Sequence, residues 1–239
     1  MSDEPDDLAL LHAWYDGDDG AAELLLQRHF DTLYRFFRSK LDGPIDDLIQ
    51  STLLVCIEQR DRFRGDAPFR VFLLGIARNK LLRHLRDRYR AERVFAPAQT
   101  SVRDVVPAVS ASVGAKLGRG QERELLLHAL RMLPLDLQIA VELRYWEELP
   151  LAEIARITET IPGTVKSRLA RARQMLERNM AALSAGDADW VRQTLTGLER
   201  WADALRRDLD ADGRSGQPSG SNSSQATSTS ATASEKKPS

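Results

Sequence analysis

Apolar residues recur at intervals of three and four along nearly the whole of this 239-residue chain, and convincing two-residue alternation is absent. That period places side chains on one face of a helix and leaves no half-buried strand to build a sheet from. The chain is therefore expected to be all-α. The pattern is interrupted over residues 91–120, where Ala, Val, Ser, Gly and Pro dominate and Pro97, Pro107, Gly114, Gly118 and Gly120 break any helix. A stretch of about 30 such residues is too long for an ordinary loop inside one domain. Two small helical domains joined by a flexible linker follow from it.

Before the linker the periodicity predicts a short helix with Leu8, Leu10, Leu11, Trp14 and Tyr15. A second runs from Ala21 to Leu41, a third from Ile45 to Gln59, and a fourth from near Asp66 to Tyr89. Asp66 is placed to cap that fourth helix, with Pro68 in its first turn. After the linker, helices carry Leu125–Leu130, Leu137–Tyr145 and Ile154–Ile157. A break at Thr158, Glu159 and Thr160 then precedes a helix over Ile161–Met180. Two short helices around a tight turn make a helix-turn-helix pattern. An extra amphipathic helix is predicted over 187–210. The tail 211–239 has no large apolar residue and should be disordered, since it cannot bury enough surface to offset the entropy of ordering.

Charge matters by place rather than by sum. The formal net charge is −1, yet residues 1–23 hold eight acids and no Lys or Arg, while residues 78–93 hold seven Lys or Arg and two acids. A local cationic site inside a near-neutral chain points to a polyanionic partner at that site. The fourth helix shows why. Asn79, Arg83, Arg86 and Arg90 follow at four, three and four, so they share one side of the helix. Any one of these would read as an ordinary solvated residue. Four in register beside a loop containing Phe63, Arg64, Gly65, Phe69 and Arg70 suit nucleic acid, with rings stacking on unpaired bases and guanidinium groups on phosphates.

The helix after the turn at Glu159 divides in the same manner. Val165, Leu169, Ala172 and Leu176 share an inward face. Gly163, Ser167, Ala170, Arg171 and Gln174 lie opposite, flanked by Lys166 and Arg173. Small residues at the centre of an outer face let a helix enter a major groove, and flanking cations meet phosphates.

Other classes find little support. The one cysteine, Cys56, permits no intramolecular disulfide and sits in an apolar helical pattern. The four histidines lie far apart, so no metal is expected, nor any cofactor. There is no glycine-rich phosphate loop and no nucleophile–base pair, so no enzyme is expected. The acidic first residues are unlike the start of a signal peptide, and no apolar run approaches the ~20 residues of a membrane span. A cytoplasmic protein is expected.

These residues also carry a resemblance. Asp46-Asp47-Leu48-Ile49-Gln50, Arg62-Phe63-Arg64-Gly65, Phe69-Arg70 and Ile76-Ala77-Arg78-Asn79 resemble the second conserved region of extracytoplasmic-function (ECF) sigma factors of the sigma-70 family. Leu133-Pro134, Leu143-Arg144-Tyr145, Glu153-Ile154-Ala155 and Gly163–Arg173 resemble the fourth region. The resemblance implies a domain over 6–92 that takes core RNA polymerase and the −10 promoter element, a linker over 93–120, and a −35-reading domain over 121–182. Carried over by position, Asp47, Leu48 and Gln50 would dock on polymerase. Phe63, Arg64, Gly65, Phe69, Arg70, Asn79, Arg83 and Arg86 would hold the −10 element. Thr164, Lys166, Ser167, Ala170, Arg171 and Arg173 would read the −35 element. Implied partners are core polymerase and promoter DNA, duplex and locally melted, with an anti-sigma factor as a further candidate. The family commonly has Trp where Phe72 stands and Gly where Glu159 stands, and it gives no role for Trp190–Leu209. The alternative from another class is a helix-turn-helix regulator that replaces no sigma subunit. It accounts for residues 122–180 but not for the Phe/Arg loop.

Overall fold

The computed structural model describes residues 5–63, 65–95 and 119–183, together with 191, 192, 194 and 207. Arg64, most of the linker and C-terminal helix, and the tail lie outside the described residues. Every regular element among those described is helical: α1 (Asp7–Tyr15), α2 (Asp19–Arg28), α3 (Phe30–Arg38), α4 (Asp46–Glu58), a 3-10 turn (Arg60–Arg62), α5 (Phe69–Phe95), α6 (Arg119–Arg131), α7 (Leu135–Tyr145), α8 (Leu151–Thr158) and α9 (Pro162–Leu183). No helix among the described residues is long and apolar enough to cross a membrane.

The helix starts have chemical causes. Asp6 accepts from the Ala9 N–H at 2.7 Å and caps α1, and Asp18 accepts from the Gly20 and Ala21 N–H groups to cap α2. Each satisfies donors that the first helical turn leaves unpaired.

The single helix expected over Ala21–Leu41 is two. It breaks at His29, whose backbone leaves helical geometry at φ −100° and ψ 3°. At side-chain level Asp7 ties this corner to α1. Its carboxylate takes the Arg28 guanidinium at 2.8 Å on one oxygen and His29 Nε2 at 2.7 Å on the other, drawing this corner onto α1. Burial pushes the Asp7 carboxyl up, but the Arg28 hydrogen bond and the His29 charge outweigh it and leave the group below its ordinary value.

The start of α5 also differs from expectation. The helix begins at Phe69, with the Val71 N–H on the Pro68 carbonyl at 2.9 Å, so Pro68 precedes the helix and Asp66 is two residues further back. Asp66 accepts from Arg156 through its carbonyl and its carboxylate. At its other end α5 continues past Tyr89 to Phe95.

Leu25, Leu33, Phe37, Leu73, Leu74 and Leu81 form the centre of the first helical unit, all essentially inaccessible. The same cluster continues into Ile139 and Leu143 of α7, Leu149 of the following loop, and Ile154 and Ile157 of α8, so the two units share packing. A second cluster, with Leu126, Leu130, Leu137, Trp146, Leu176 and Met180, binds α6, α7 and α9 together.

Charge is buried where α3 meets α7. Lys40 pairs with Glu142, which also accepts from Ser39 Oγ at 3.1 Å and from Gln138 Nε2 at 2.9 Å. Arg35 meets Glu147 at 3.0 Å, and Arg131 reaches Asp42 at 2.9 Å and the Ser39 carbonyl at 3.1 Å. Burial pushes the Lys40 ammonium pKa down and the Glu142 carboxyl pKa up.

Candidate nucleic-acid interface

The first face is built on the 3-10 turn. The Phe63 N–H bonds the Arg60 carbonyl at 2.9 Å, and the Tyr15 hydroxyl donates to that same carbonyl at 2.7 Å, fastening the turn to α1. The Arg60 guanidinium lies over the Trp14 ring at 5.6 Å, a cation–π contact. Phe63 is half-buried, with its ring 5.7 Å from Phe69 and 5.4 Å from Phe72. Tilted and edge-on pairs at these distances fix a ring without covering it entirely. Gly65 is exposed with φ +71°, a left-handed conformation that glycine adopts without strain. Arg70 is half-buried.

Phe69 departs from the expectation that both phenylalanines would face DNA. It is 3% exposed and leans on His29 at 5.5 Å, so it forms the floor beneath Phe63 and offers no free ring face. Phe72 completes that floor and keeps an apolar role where the family commonly has Trp.

Beyond the loop, Asn79, Arg83, Arg86 and Arg90 are all exposed along α5. Arg83 approaches Asp87 at 3.8 Å, and Arg86 Nε donates to the Leu82 carbonyl at 3.1 Å. Neither contact removes the cation from solvent. Positions three or four apart climb about one 5.4 Å turn at a time, so the row runs along the helix as a strip of positive charge.

The second face is α9, positioned by the turn after α8. Glu159 adopts φ +53° and ψ +46°, and the Thr160 N–H then closes on the Ala155 carbonyl at 2.9 Å. Thr158 Oγ1 donates to the Ile154 carbonyl at 2.7 Å and lies 3.1 Å from the Thr160 hydroxyl. Val165, Ala172 and Leu176 are fully buried. Lys166, Ser167, Ala170, Arg171 and Arg173 are exposed on the other side, and Thr164 is half-buried, with its carbonyl accepting from Ser167 Oγ at 2.8 Å. Arg168 belongs to the scaffold, because its Nε meets Asp136 of α7 at 3.3 Å.

A third face lies on α4. Asp47 and Gln50 are exposed and Leu48 is half-buried, with its carbonyl accepting from Thr52 Oγ1 at 2.6 Å. Leu54 and Ile57 are also exposed, at 53% and 41%. Both fit the apolar pattern of a core helix and so drew no notice in the sequence. The signal was their spacing of seven from Asp47 and Gln50, which puts all four on one stripe.

Fold and faces together define a class: an all-α transcription protein of the initiation type, with a ring-bearing loop beside a cationic helix in one part and a helix-turn-helix in the other. The family model Sigma-70 region 2 matches residues 25–91, and Sigma-70, region 4 matches residues 123–176. The chain belongs to the sigma-70 family, in its extracytoplasmic-function group; it is a sigma factor and not an enzyme.

It is similar to the ECF RNA polymerase sigma-E factor of Haemophilus influenzae, 29% identical over 195 residues that cover 77% of this chain and all of that protein. The protein of the same description from Escherichia coli is 28% identical over 194 residues, covering 77% of this chain and 98% of that one. Among solved structures, a co-crystal structure of the sigma factor RpoE in complex with the anti-sigma factor NepR from Bartonella quintana matches 66% of this chain and 92% of its own, at 26% identity and a TM-score of 0.48.

Proposed function

We propose a division of labour among the three faces. The α4 stripe of Asp47, Leu48 and Gln50, extended by Leu54 and Ile57, docks on core RNA polymerase. Phe63 takes an unpaired base of the −10 element, while Gly65, Arg70, Asn79, Arg83 and Arg86 hold the strand, with Arg64 assigned by sequence position alone. Phe69 supports Phe63 from below. Thr164, Lys166, Ser167, Ala170, Arg171 and Arg173 read the −35 element in the major groove. Acting on polymerase places the protein in the cytoplasm. An anti-sigma factor remains a candidate partner on sequence resemblance.

The observation that carries this reading is the exposure of two separate cationic faces, each next to its own recognition device. A duplex reader needs only α9. The half-buried Phe63 ring beside the α5 strip has a use only if single-stranded DNA is also bound. Opening a promoter requires no bond chemistry from this subunit; it requires unpaired bases to be held more tightly than paired ones. Removing a base from the stack costs a few kcal/mol, and stacking on an aromatic side chain returns roughly 1–3 kcal/mol per base.

The test is reconstitution with core polymerase on a pool of genomic fragments. Stoichiometric binding and initiation at defined start sites are expected. Initiation that is unchanged when the chain is left out would sink the proposal, and sequence-specific duplex binding without association with core would favour the regulator instead.

A further inference from the structure

Three distances join α1 to the ring that takes a base. Asp7 Oδ2 is 2.7 Å from His29 Nε2, the His29 ring is 5.5 Å from Phe69, and the Phe69 ring is 5.7 Å from Phe63. Base capture as described uses only the last of these pairs. The first two have no part in it so far, although His29 is 8% exposed and lies directly behind the floor of the site.

His29 stands at the joint between α2 and α3, with φ −100° and ψ 3°. The helix is interrupted there, so a continuous helix does not set the direction of its ring. Asp7 does. Its carboxyl is held below the ordinary range and is ionised near neutrality. An ionised carboxylate only accepts, so His29 Nε2 carries the hydrogen and donates. Asp7 is itself fixed. Arg28 Nη1 donates to its other oxygen at 2.8 Å, and Arg28 Nη2 donates to the Pro5 carbonyl at 2.9 Å. A histidine whose ring nitrogen is bonded to an anchored acceptor has its rotation fixed as well as its position.

The fixed ring then sets the floor. Phe69 opens α5 and is 3% exposed. Phe72 lies 6.3 Å from it on the same helix and moves with it. His29 comes from another part of the fold, so it locates Phe69 relative to α1 and α2. Phe63 meets Phe69 at an interplanar angle of 82°, edge against face. In that geometry a shift of the lower ring changes the height and tilt of the upper one, and stacking depends on both.

We propose that His29, with its ring set by Asp7, is a positioning residue for −10 capture: it supports Phe69, and through Phe69 the Phe63 ring, at the height and tilt in which an unpaired base stacks. His29 touches no base. The proposal rests on the assignment of Phe63 as the ring that takes one. It gives Asp7 and α1 a part in reading the −10 element, although neither belongs to the loop or to α5.

The experiment uses holoenzyme made from the full chain and core polymerase. The probe is a premelted fork from a start site found by reconstitution, with each unpaired −10 base replaced in turn by 2-aminopurine. The position whose emission changes on binding in the parent, and not in Phe63→Leu, marks the base held. Phe63→Leu should weaken capture by at least about fivefold, the low end for stacking on one ring. His29→Leu, which removes ring and donor, should approach the same loss and lose the emission change. His29→Phe keeps the ring alone and should lose less. His29→Tyr keeps a ring and a donor toward Asp7 and should restore capture to within about twofold of the parent. Affinity for core and for a −35 duplex should hold within about twofold throughout, at a temperature where circular dichroism shows each chain folded; a merely structural role would move all three together. In the Phe63→Leu background, His29→Leu should cost less than about twofold more, because the ring it supports is gone. Where His29→Leu fails to fold, Asp7→Leu takes its place, deleting the acceptor and leaving the ring. Full capture in the folded variant, an equal loss in both backgrounds, or no recovery in His29→Tyr would overturn the proposal. Undiminished capture in Phe63→Leu would overturn the base-capture reading itself, and that variant alone recognises it.

Discussion

The hydroxyl of Tyr15 and the carbonyl of Arg60 are 45 residues apart in the chain and 2.7 Å apart in space. This bond runs from α1 to the turn that presents Phe63. Tyr15→Phe keeps the ring and deletes the bond. The expected loss of stability is about 1 kcal/mol, the usual net contribution of one hydrogen bond. Capture of a premelted −10 segment by the reconstituted holoenzyme should weaken as well, because the turn is then free to shift. Urea unfolding and a fluorescent fork-junction probe measure the two effects; full capture at reduced stability would show that α1 does not position the loop.

At Glu159 the chain bears a side chain at φ +53°, where residues other than Gly, Asn and Asp are uncommon. Glu159→Gly should raise stability by about 0.5–1 kcal/mol through relief of that strain. The loss of the Arg78 contact subtracts little, since Glu159 is mostly exposed and the separation is 3.7 Å. The check is a higher denaturant midpoint at an unchanged slope.

Arg171 is exposed on the outer face of α9, next to Ala170 and Ser167. Arg171→Ala should leave folding intact and weaken binding to the upstream duplex. If it contacts a phosphate, the slope of log K against log salt should fall by about one. If it contacts a base edge instead, preference at one position should relax by about 1–3 kcal/mol. A titration series at several salt concentrations, on matched and singly substituted duplexes, tells these apart; no change in either would remove Arg171 from the interface.

Asp7 gives the acid limb of stability a definite sign. Its folded pKa lies below the ordinary 3.8, because Arg28 and His29 outweigh the effect of burial. The carboxylate's contribution is therefore complete above the unfolded value and is lost as pH falls through the folded value. Asp7→Asn should lower stability near neutrality and flatten its decline below about pH 4. Chemical denaturation from pH 2 to pH 7 makes the comparison, and parallel curves would dismiss the pair as a stabilising contact.

Cys56 is fully buried in α4, and burial pushes its thiol up to about 12. Attack on a disulfide reagent requires the thiolate, so the native protein should be inert at pH 8. Labelling should then occur only through unfolding, and should slow in Glu159→Gly and quicken in Tyr15→Phe and Asp7→Asn. Rapid labelling under native conditions would mean that α4 opens locally.

Much of this architecture was legible in the residue pattern. The inward row Val165, Leu169, Ala172, Leu176 and the outer row Ser167, Ala170, Arg171 follow from a 3.6-residue period, and the structure buries the first row, Leu169 only partly, and exposes the second. Periodicity could not show which of two neighbouring rings would face solvent. Phe63 and Phe69 are alike as letters, and only the position of His29 and Phe72 sends Phe69 inward. Nor could it find the break at His29, where Asp7 reaches across from α1. The same limit hid the seam between the units. Lys40 and Glu142 look like surface residues of two amphipathic helices, and 102 positions separate the partners that bury them.

The three rings of Phe63, Phe69 and Phe72 have a kinetic consequence. Their packing at 5.4 to 6.3 Å removes the rotamer freedom of Phe63 when the protein folds, well before DNA arrives. An incoming base therefore meets a surface whose shape is already set and need not wait for a side chain to be ordered. Discrimination among bases then falls mainly on dissociation: poorly fitting bases leave sooner, while arrival rates stay similar. A promoter would be sorted, at this position, by dwell time.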